Sequence, residues 1–163
     1  LDGIKVMHTT EYLTENGFKP DLKADHEVTV TYHDPCRLGR QMGIYYEPRD
    51  LLGDVEGVKL VEMEHHGEDA MCCGVSSMMS CNENARSLRV ARMEEIRETG
   101  ADMMITSCPK CVSHFECLKF EGDEKYDIEI LDVVSFLAKQ VEASKSKAKD
   151  VISPSIQSEE VSA

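Results

Sequence analysis

No run of apolar residues in this chain approaches the roughly 18 that a membrane span needs, so direct insertion into a bilayer is not expected. Basic charge is also scarce. Lys and Arg number 18 against 31 Asp and Glu, a formal net charge of −13. A surface rich in carboxylates repels a phosphate backbone, which sets nucleic acid aside as a partner. The plainest role of that charge is solubility. Leu1 to Thr10 is mixed in character, not a basic segment followed by an apolar one, so no secretory leader is read there. The expected location is cytoplasmic, with any membrane association made through a partner protein. No internal repeat is visible.

Cysteine, in contrast, is abundant, with 7 in 163 residues. An odd count that includes the adjacent pair Cys72-Cys73 suits a disulfide framework poorly. Clustered thiols in a cytosolic chain point instead to a metal or to catalysis.

The chain is long enough for one ordinary domain. Residues 1–26 read as a lead-in from an upstream domain, an expectation raised by a first residue that is Leu and not Met. Within it, His8 to Asn16 suits a short helix stopped by Gly17, and Lys19 to His26 suits a loop. Residues 27–143 read as the domain proper, and 144–163, made largely of Ser, Lys and Glu, as a disordered tail. Strands are expected at Val28 to Tyr32, Val58 to Val61, Met103 to Thr106 and Ile128 to Leu131, where β-branched and other apolar residues cluster. Arg37 to Met42 and Pro48 to Leu52 suit short helical turns. Asn82 to Thr99 suits a helix with Ala85, Leu88 and Ile96 toward one face and Gly100 at its C-terminal cap. Further helices are expected from Pro109, and after Asp132 with Val133, Phe136, Leu137 and Val141 buried. The alternation implies an α/β fold, a mostly parallel sheet of about four strands flanked by helices.

On that scheme Cys36 follows the first strand, Cys72 and Cys73 lie in the loop after the second, and Cys108 and Cys111 follow the third. Ligand sites in open parallel sheets form beyond the carboxyl ends of the strands, so five distant cysteines are expected to meet at one edge. Cys108-Pro109-Lys110-Cys111 sets two thiols at a helix N-terminus, where free amides and the dipole favour thiolate. Gly74 allows a tight turn or a close approach to an inorganic sulfide. Structural zinc takes four ligands, and a cubane iron–sulfur cluster also takes four cysteines. Five donors, two of them adjacent, favour a multi-iron cluster, with zinc or a thiol-only redox site as alternatives.

The spaced set Cys36, Cys72-Cys73-Gly74, Cys108 and Cys111 resembles the CCG cysteine-rich domain. The resemblance covers about Val28 to Val141 and includes His33-Asp34-Pro35-Cys36 and Thr99-Gly100-Ala101-Asp102. That domain occurs in the B-type and D-type components of heterodisulfide reductases. It also occurs in the iron–sulfur components of glycolate, lactate and anaerobic glycerol-3-phosphate oxidising enzymes. In heterodisulfide reductases such motifs hold a non-cubane [4Fe-4S] cluster with five cysteine ligands, which cleaves the disulfide of coenzymes M and B. The resemblance therefore implies Cys36, Cys72, Cys73, Cys108 and Cys111 as cluster ligands, a thiol or disulfide substrate, and an iron–sulfur, flavin or cytochrome protein as redox partner. Family members often carry two copies of the motif, and this chain has one. Val75-Ser76-Ser77-Met78-Met79 lacks the glycine run of many relatives.

Three functions compete. One is the catalytic domain of a heterodisulfide reductase-like oxidoreductase. The second is an electron-transfer module of the glycolate oxidase type, and the third is a zinc-held structural domain. His33, Arg37 and His114 are candidates for acting beside the cluster, the histidines by hydrogen bonding to sulfur or donating protons. Arg37 and Arg40 could attract an anionic thiol. Cys81 is a candidate neighbour of the cluster. Cys117 is expected to be a small buried side chain. His65 and His66 are expected in a loop.

Overall fold

A computed structural model describes residues 3–18, 23–75, 82–122 and 124–152. Four strands, β1 (Lys23–His33), β2 (Glu56–Val61), β3 (Met103–Thr106) and β4 (Glu129–Asp132), pair in parallel in the order β2-β1-β3-β4. Among the described residues, five α-helices accompany them: α1 (Thr9–Glu15), α2 (Glu47–Gly53), α3 (Glu83–Glu98), α4 (Pro109–Phe120) and α5 (Val133–Ile152). The expected α/β sheet is present, with its strands where β-branched and apolar residues cluster.

Both faces of the sheet are covered, as parallel sheets require. Val28, Val30 and Tyr32 point to one face and join Leu51 and Leu52 of α2 and Val133, Phe136 and Leu137 of α5. Met104 and Ile130 point to the other and join Met93 and Ile96 of α3 and Phe115 and Leu118 of α4. Cys73 and Cys111 belong to this second core. From β1 the chain passes outward to β2, then returns past β1 to β3 on its other side. The reversal places a switch point between β1 and β3, where the loops leaving their carboxyl ends diverge and leave a crevice.

Two boundaries and one helix face differ from expectation. β1 begins at Lys23, inside the segment read as lead-in, because Lys23 pairs with Glu56 across an irregularity and Ala24 is buried in the first core. Leu13 and Phe18 pack against that same core. α5 continues to Ile152, into the segment read as a tail; residues 153–163 lie outside the described residues. On α3, Leu88 is 44% exposed. Ala85 and Ile96 are buried as expected, but the face they share runs through Arg89, Arg92, Met93 and Glu95 and not through Leu88, so charged residues lie on it.

The Thr99-Gly100-Ala101-Asp102 segment ends α3 and starts β3. Thr99 donates its hydroxyl to the Ile96 carbonyl at 2.6 Å, and Gly100 adopts φ +67°. Asp102 then grips Thr29 of β1 twice: its backbone N–H donates to the Thr29 carbonyl, and its carboxylate accepts from the Thr29 N–H, both at 2.8 Å. Asp102→Ala is expected to cost about 1 kcal/mol in urea unfolding. Asp102→Asn should recover part of that loss, because its amide oxygen still accepts.

Candidate metal centre

The five cysteines that the sequence singles out line one cavity of about 190 Å³, together with Pro35, Arg37, Val75 and Lys110. A water molecule occupies about 30 Å³, so the space suits a polyatomic group better than a lone ion. The cavity lies at the carboxyl ends of β1 and β3, beside the switch point.

Each thiol arrives by a separate device. The strand ends are stitched where the loops leave: Tyr32 donates its hydroxyl to Ser107 Oγ, and Thr106 donates to the His33 carbonyl, both at 2.9 Å. Cys36 then opens the short wide turn Arg37–Gln41 and is exposed. Its loop is anchored by Asp34, buried at 3% exposure, which accepts from Arg49 at 2.7 and 2.9 Å and from the Gly67 N–H at 2.8 Å. Arg49 also binds Glu62, so one fork joins α2, the Cys36 loop and the segment leading to Cys72. Cys108 caps α4 with extended backbone, and Pro109 follows in the first turn, placing Cys111 one turn inside the helix.

Gly74 explains the third residue of the Cys72-Cys73-Gly74 triplet. Its φ is +94°, and an added Cβ would stand 2.3 Å from the Ala85 carbonyl oxygen and 3.2 Å from His114 Nε2. The pair is thus pressed against α3 and α4 by a residue with no side chain. The Gly74 N–H also donates to Cys72 Sγ at 3.4 Å.

The thiols are electrostatically unequal. Cys111 donates to Cys73 Sγ at 3.3 Å. That bond, reinforced by His33 and opposed by burial, brings Cys73 from an ordinary 9.0 to about 4. Cys108 falls to about 6, through Cys111 and the N–H groups of Cys111 and Lys110 at the helix start. Cys111 moves up, because its proton serves both Cys108 and Cys73. The helix terminus was expected to favour thiolate at both ends of Cys108-Pro109-Lys110-Cys111; it does so at Cys108 alone. Burial raises Cys72.

His33 is 1% exposed and stands edge-on to Phe115, with ring centroids 5.0 Å apart. Burial lowers its pKa and favours the neutral ring. A ring nitrogen of His33 and the sulfurs of Cys73 and Cys111 lie within 4.8 Å of one another. His114 is also buried and is bonded through Nδ1 to Arg89 at 3.2 Å, with its Nε2 toward Gly74. Arg37 and Lys110 line the cavity, whereas Arg40 is turned away and donates to the Ala70 carbonyl at 2.8 Å. Lys110 was missed in the sequence, although its place between two candidate ligands was a usable signal. Cys117 is exposed, not buried, because it sits on the outer side of α4, where it donates to the Ser113 carbonyl. Cys81 lies outside the described residues. His65 and His66 are in the loop after β2, as expected.

Fold and site together define a doubly wound α/β domain whose switch-point crevice is walled by cysteine thiols. The chain belongs to the cysteine-rich domain family designated CCG, whose model matches residues 30–116. It is 35% identical over 138 residues to a component of the dihydromethanophenazine:CoB–CoM heterodisulfide reductase of Methanosarcina acetivorans, its D polypeptide, covering 82% of this chain and 33% of that protein. It is 33% identical to the probable iron-sulfur-binding oxidoreductase FadF of Bacillus subtilis, over 84% of this chain and 20% of that protein. It is 34% identical to the B polypeptide of the fumarate reductase (CoM/CoB) of Methanothermobacter marburgensis, over 82% of this chain and 27% of that protein. The chain thus spans about a third or less of each of these relatives.

Two outcomes are expected at this site. Gly74→Ala should lose roughly 1–3 kcal/mol from backbone strain alone, with the Ala85 contact adding to it, read as a lower urea midpoint. For Asp34, burial would raise the pKa, but the Arg49 fork and the Gly67 N–H hold it below the ordinary 3.8. The unfolded chain therefore takes up this proton first as pH falls. The stability from the Asp34–Arg49 pair is full above about pH 4 and is lost as pH drops through the lower folded value. Asp34→Asn should cost roughly 1.5–3 kcal/mol at neutral pH and flatten the acid limb of stability against pH.

Proposed function

We propose that this chain is the iron–sulfur redox module of a heterodisulfide reductase-like oxidoreductase. Cys36, Cys72, Cys73, Cys108 and Cys111 hold a [4Fe-4S] cluster of the non-cubane, five-cysteine kind, and a thiol disulfide such as that of coenzymes M and B is the substrate. The observation that carries this reading is the convergence of all five thiols on one cavity roomy enough for a polyatomic group. Relatives named as an iron–sulfur-binding oxidoreductase and as parts of heterodisulfide reductases support it.

When bound, the cluster would supply the one-electron chemistry. Splitting a disulfide into two thiols takes two electrons and two protons. The electrons come from an iron–sulfur, flavin or cytochrome partner, and the protons from solvent at the open rim. There the exposed Cys36 marks the side from which substrate enters, and Arg37 and Lys110 offer positive charge to an anionic thiol in a protein that is otherwise acidic. His33, buried and neutral, faces Cys73 from behind. No helix of the described residues is long and apolar enough to cross a membrane.

Two other readings keep support. An electron-transfer module of the glycolate oxidase type would use the same five ligands without binding thiols. A zinc site is favoured by one observation, the mutual approach of His33, Cys73 and Cys111 within 4.8 Å.

Protein purified without oxygen is expected to hold about four iron and matching sulfide per chain. Serine at any of the five cavity cysteines should lower both, whereas Cys117→Ala should leave them unchanged. EPR of oxidised protein with and without coenzyme M separates the readings. A signal altered by the thiol supports the reductase, and an indifferent one supports the electron-transfer module. One zinc without sulfide overturns both.

A further inference from the structure

Arg89 and Arg92 of α3 are among the largest fully buried side chains in the described protein, at 1% and 0% exposure. A buried guanidinium is costly unless it is paired, so its partners indicate its task. Arg92 is held on one side by the Glu95 carboxylate and by the His65 carbonyl, the latter at 2.7 Å. On the other side its Nε donates to His33 Nδ1 at 3.1 Å. Guanidinium has no acceptor atom, so His33 Nδ1 must accept and the ring proton must sit on Nε2. Phe115 holds the ring edge-on. With Nδ1 engaged by Arg92, Nε2 is the nitrogen left to face the nearby sulfurs.

We propose that Arg92 is a positioning residue that locks His33 as an Nε2–H donor to the sulfur of Cys73, and so raises the reduction potential of the cluster held there. The proposal rests on the cluster reading above. An N–H bonded to a ligand sulfur stabilises the more electron-rich, reduced state, so it shifts the midpoint potential upward. Glu95 fixes the far end of the guanidinium and balances its charge. Arg89 contacts His114 Nδ1 through Nη1, where Arg92 uses Nε, but the His114 ring abuts Gly74, so its use is to brace the turn behind the cysteine pair. The two arginines lie three residues apart on one helix, and Arg92 addresses the ring grouped with the sulfurs of Cys73 and Cys111.

The experiment uses the full chain loaded anaerobically with iron and sulfide. His33→Phe and Arg92→Lys are each expected to lower the midpoint potential in an EPR-monitored redox titration. The double variant should fall no lower than His33→Phe, since Arg92 acts through His33. Arg92→Lys keeps the charge and loses the fork, so an unmoved potential in that variant, or two shifts that add, overturns the proposal. A second measurement needs no variant. Pulsed EPR of unmutated protein containing ¹⁵N-histidine should show an exchangeable proton and a histidine nitrogen both coupled to the cluster. Absence of that coupling overturns the proposal even if Arg92→Lys does not fold. Unmutated chain that takes up neither iron nor sulfide overturns the cluster reading and this one together. Loaded chain without the shift or the coupling overturns the positioning role only.

Discussion

Parallel pairing of β1 with β3 is the constraint on which the rest of the molecule depends. The chain leaves β1 in one direction and returns to its other side, so the two neighbouring strands send their loops to opposite faces. The crevice between them is therefore a consequence of strand order, not of any particular side chain. Two hydrogen bonds close the strand ends, Tyr32 to Ser107 and Thr106 to the His33 carbonyl. With the ends closed, the Cys36 loop and the Cys108 helix start from one place. Asp34 and Arg49 extend that anchoring to α2 and to the segment before Cys72.

A cavity of thiols at the edge of a core raises an electrostatic problem. Thiolates are disfavoured by burial, and two of the cavity cysteines are buried. The fold meets the problem in layers. The Cys111 proton is shared between neighbouring sulfurs, N–H groups at the start of α4 face Cys108, and His33 faces Cys73. Behind the histidines lie two buried arginines, each with its own carboxylate, Arg92 with Glu95 and Arg89 with Glu121. At the rim, Arg37 and Lys110 interrupt a strongly acidic surface. Charge is thus graded from the interior to the mouth.

Much of this was legible in the residues themselves. β-branched clusters marked the four strands, Gly100 and Asn82 marked the ends of α3, and Pro109 marked the start of α4. What could not be read came from interactions between distant elements. Leu88 and Arg92 both suit a helix, and apolar preference alone chooses Leu88 for the core. Arg92 is buried instead because β1 and the loop after β2 bring it His33 and the His65 carbonyl, and Glu95 lies one turn along the same helix. Arg40 and Arg37 are equally basic neighbours of Cys36, yet the turn between them sends one to Ala70 and the other to the cavity. Cys117 shares the chemistry of Cys111 but falls on the outward side of the same helix.

By itself the sequence determined the element order, the parallel sheet and the set of thiols that could meet, because period, β-branching, turn residues and cysteine spacing are local properties. It also marked Gly74 as a place for a tight turn, whereas the φ of +94° and the Ala85 carbonyl that require glycine there belong to the fold. The tertiary structure alone decided which thiol keeps its proton, which cations reach the cavity, and which nitrogen of His33 is engaged by Arg92. Those outcomes depend on distances of a few ångströms between groups far apart in the chain. Only the closed sheet and the helices packed on it set such distances.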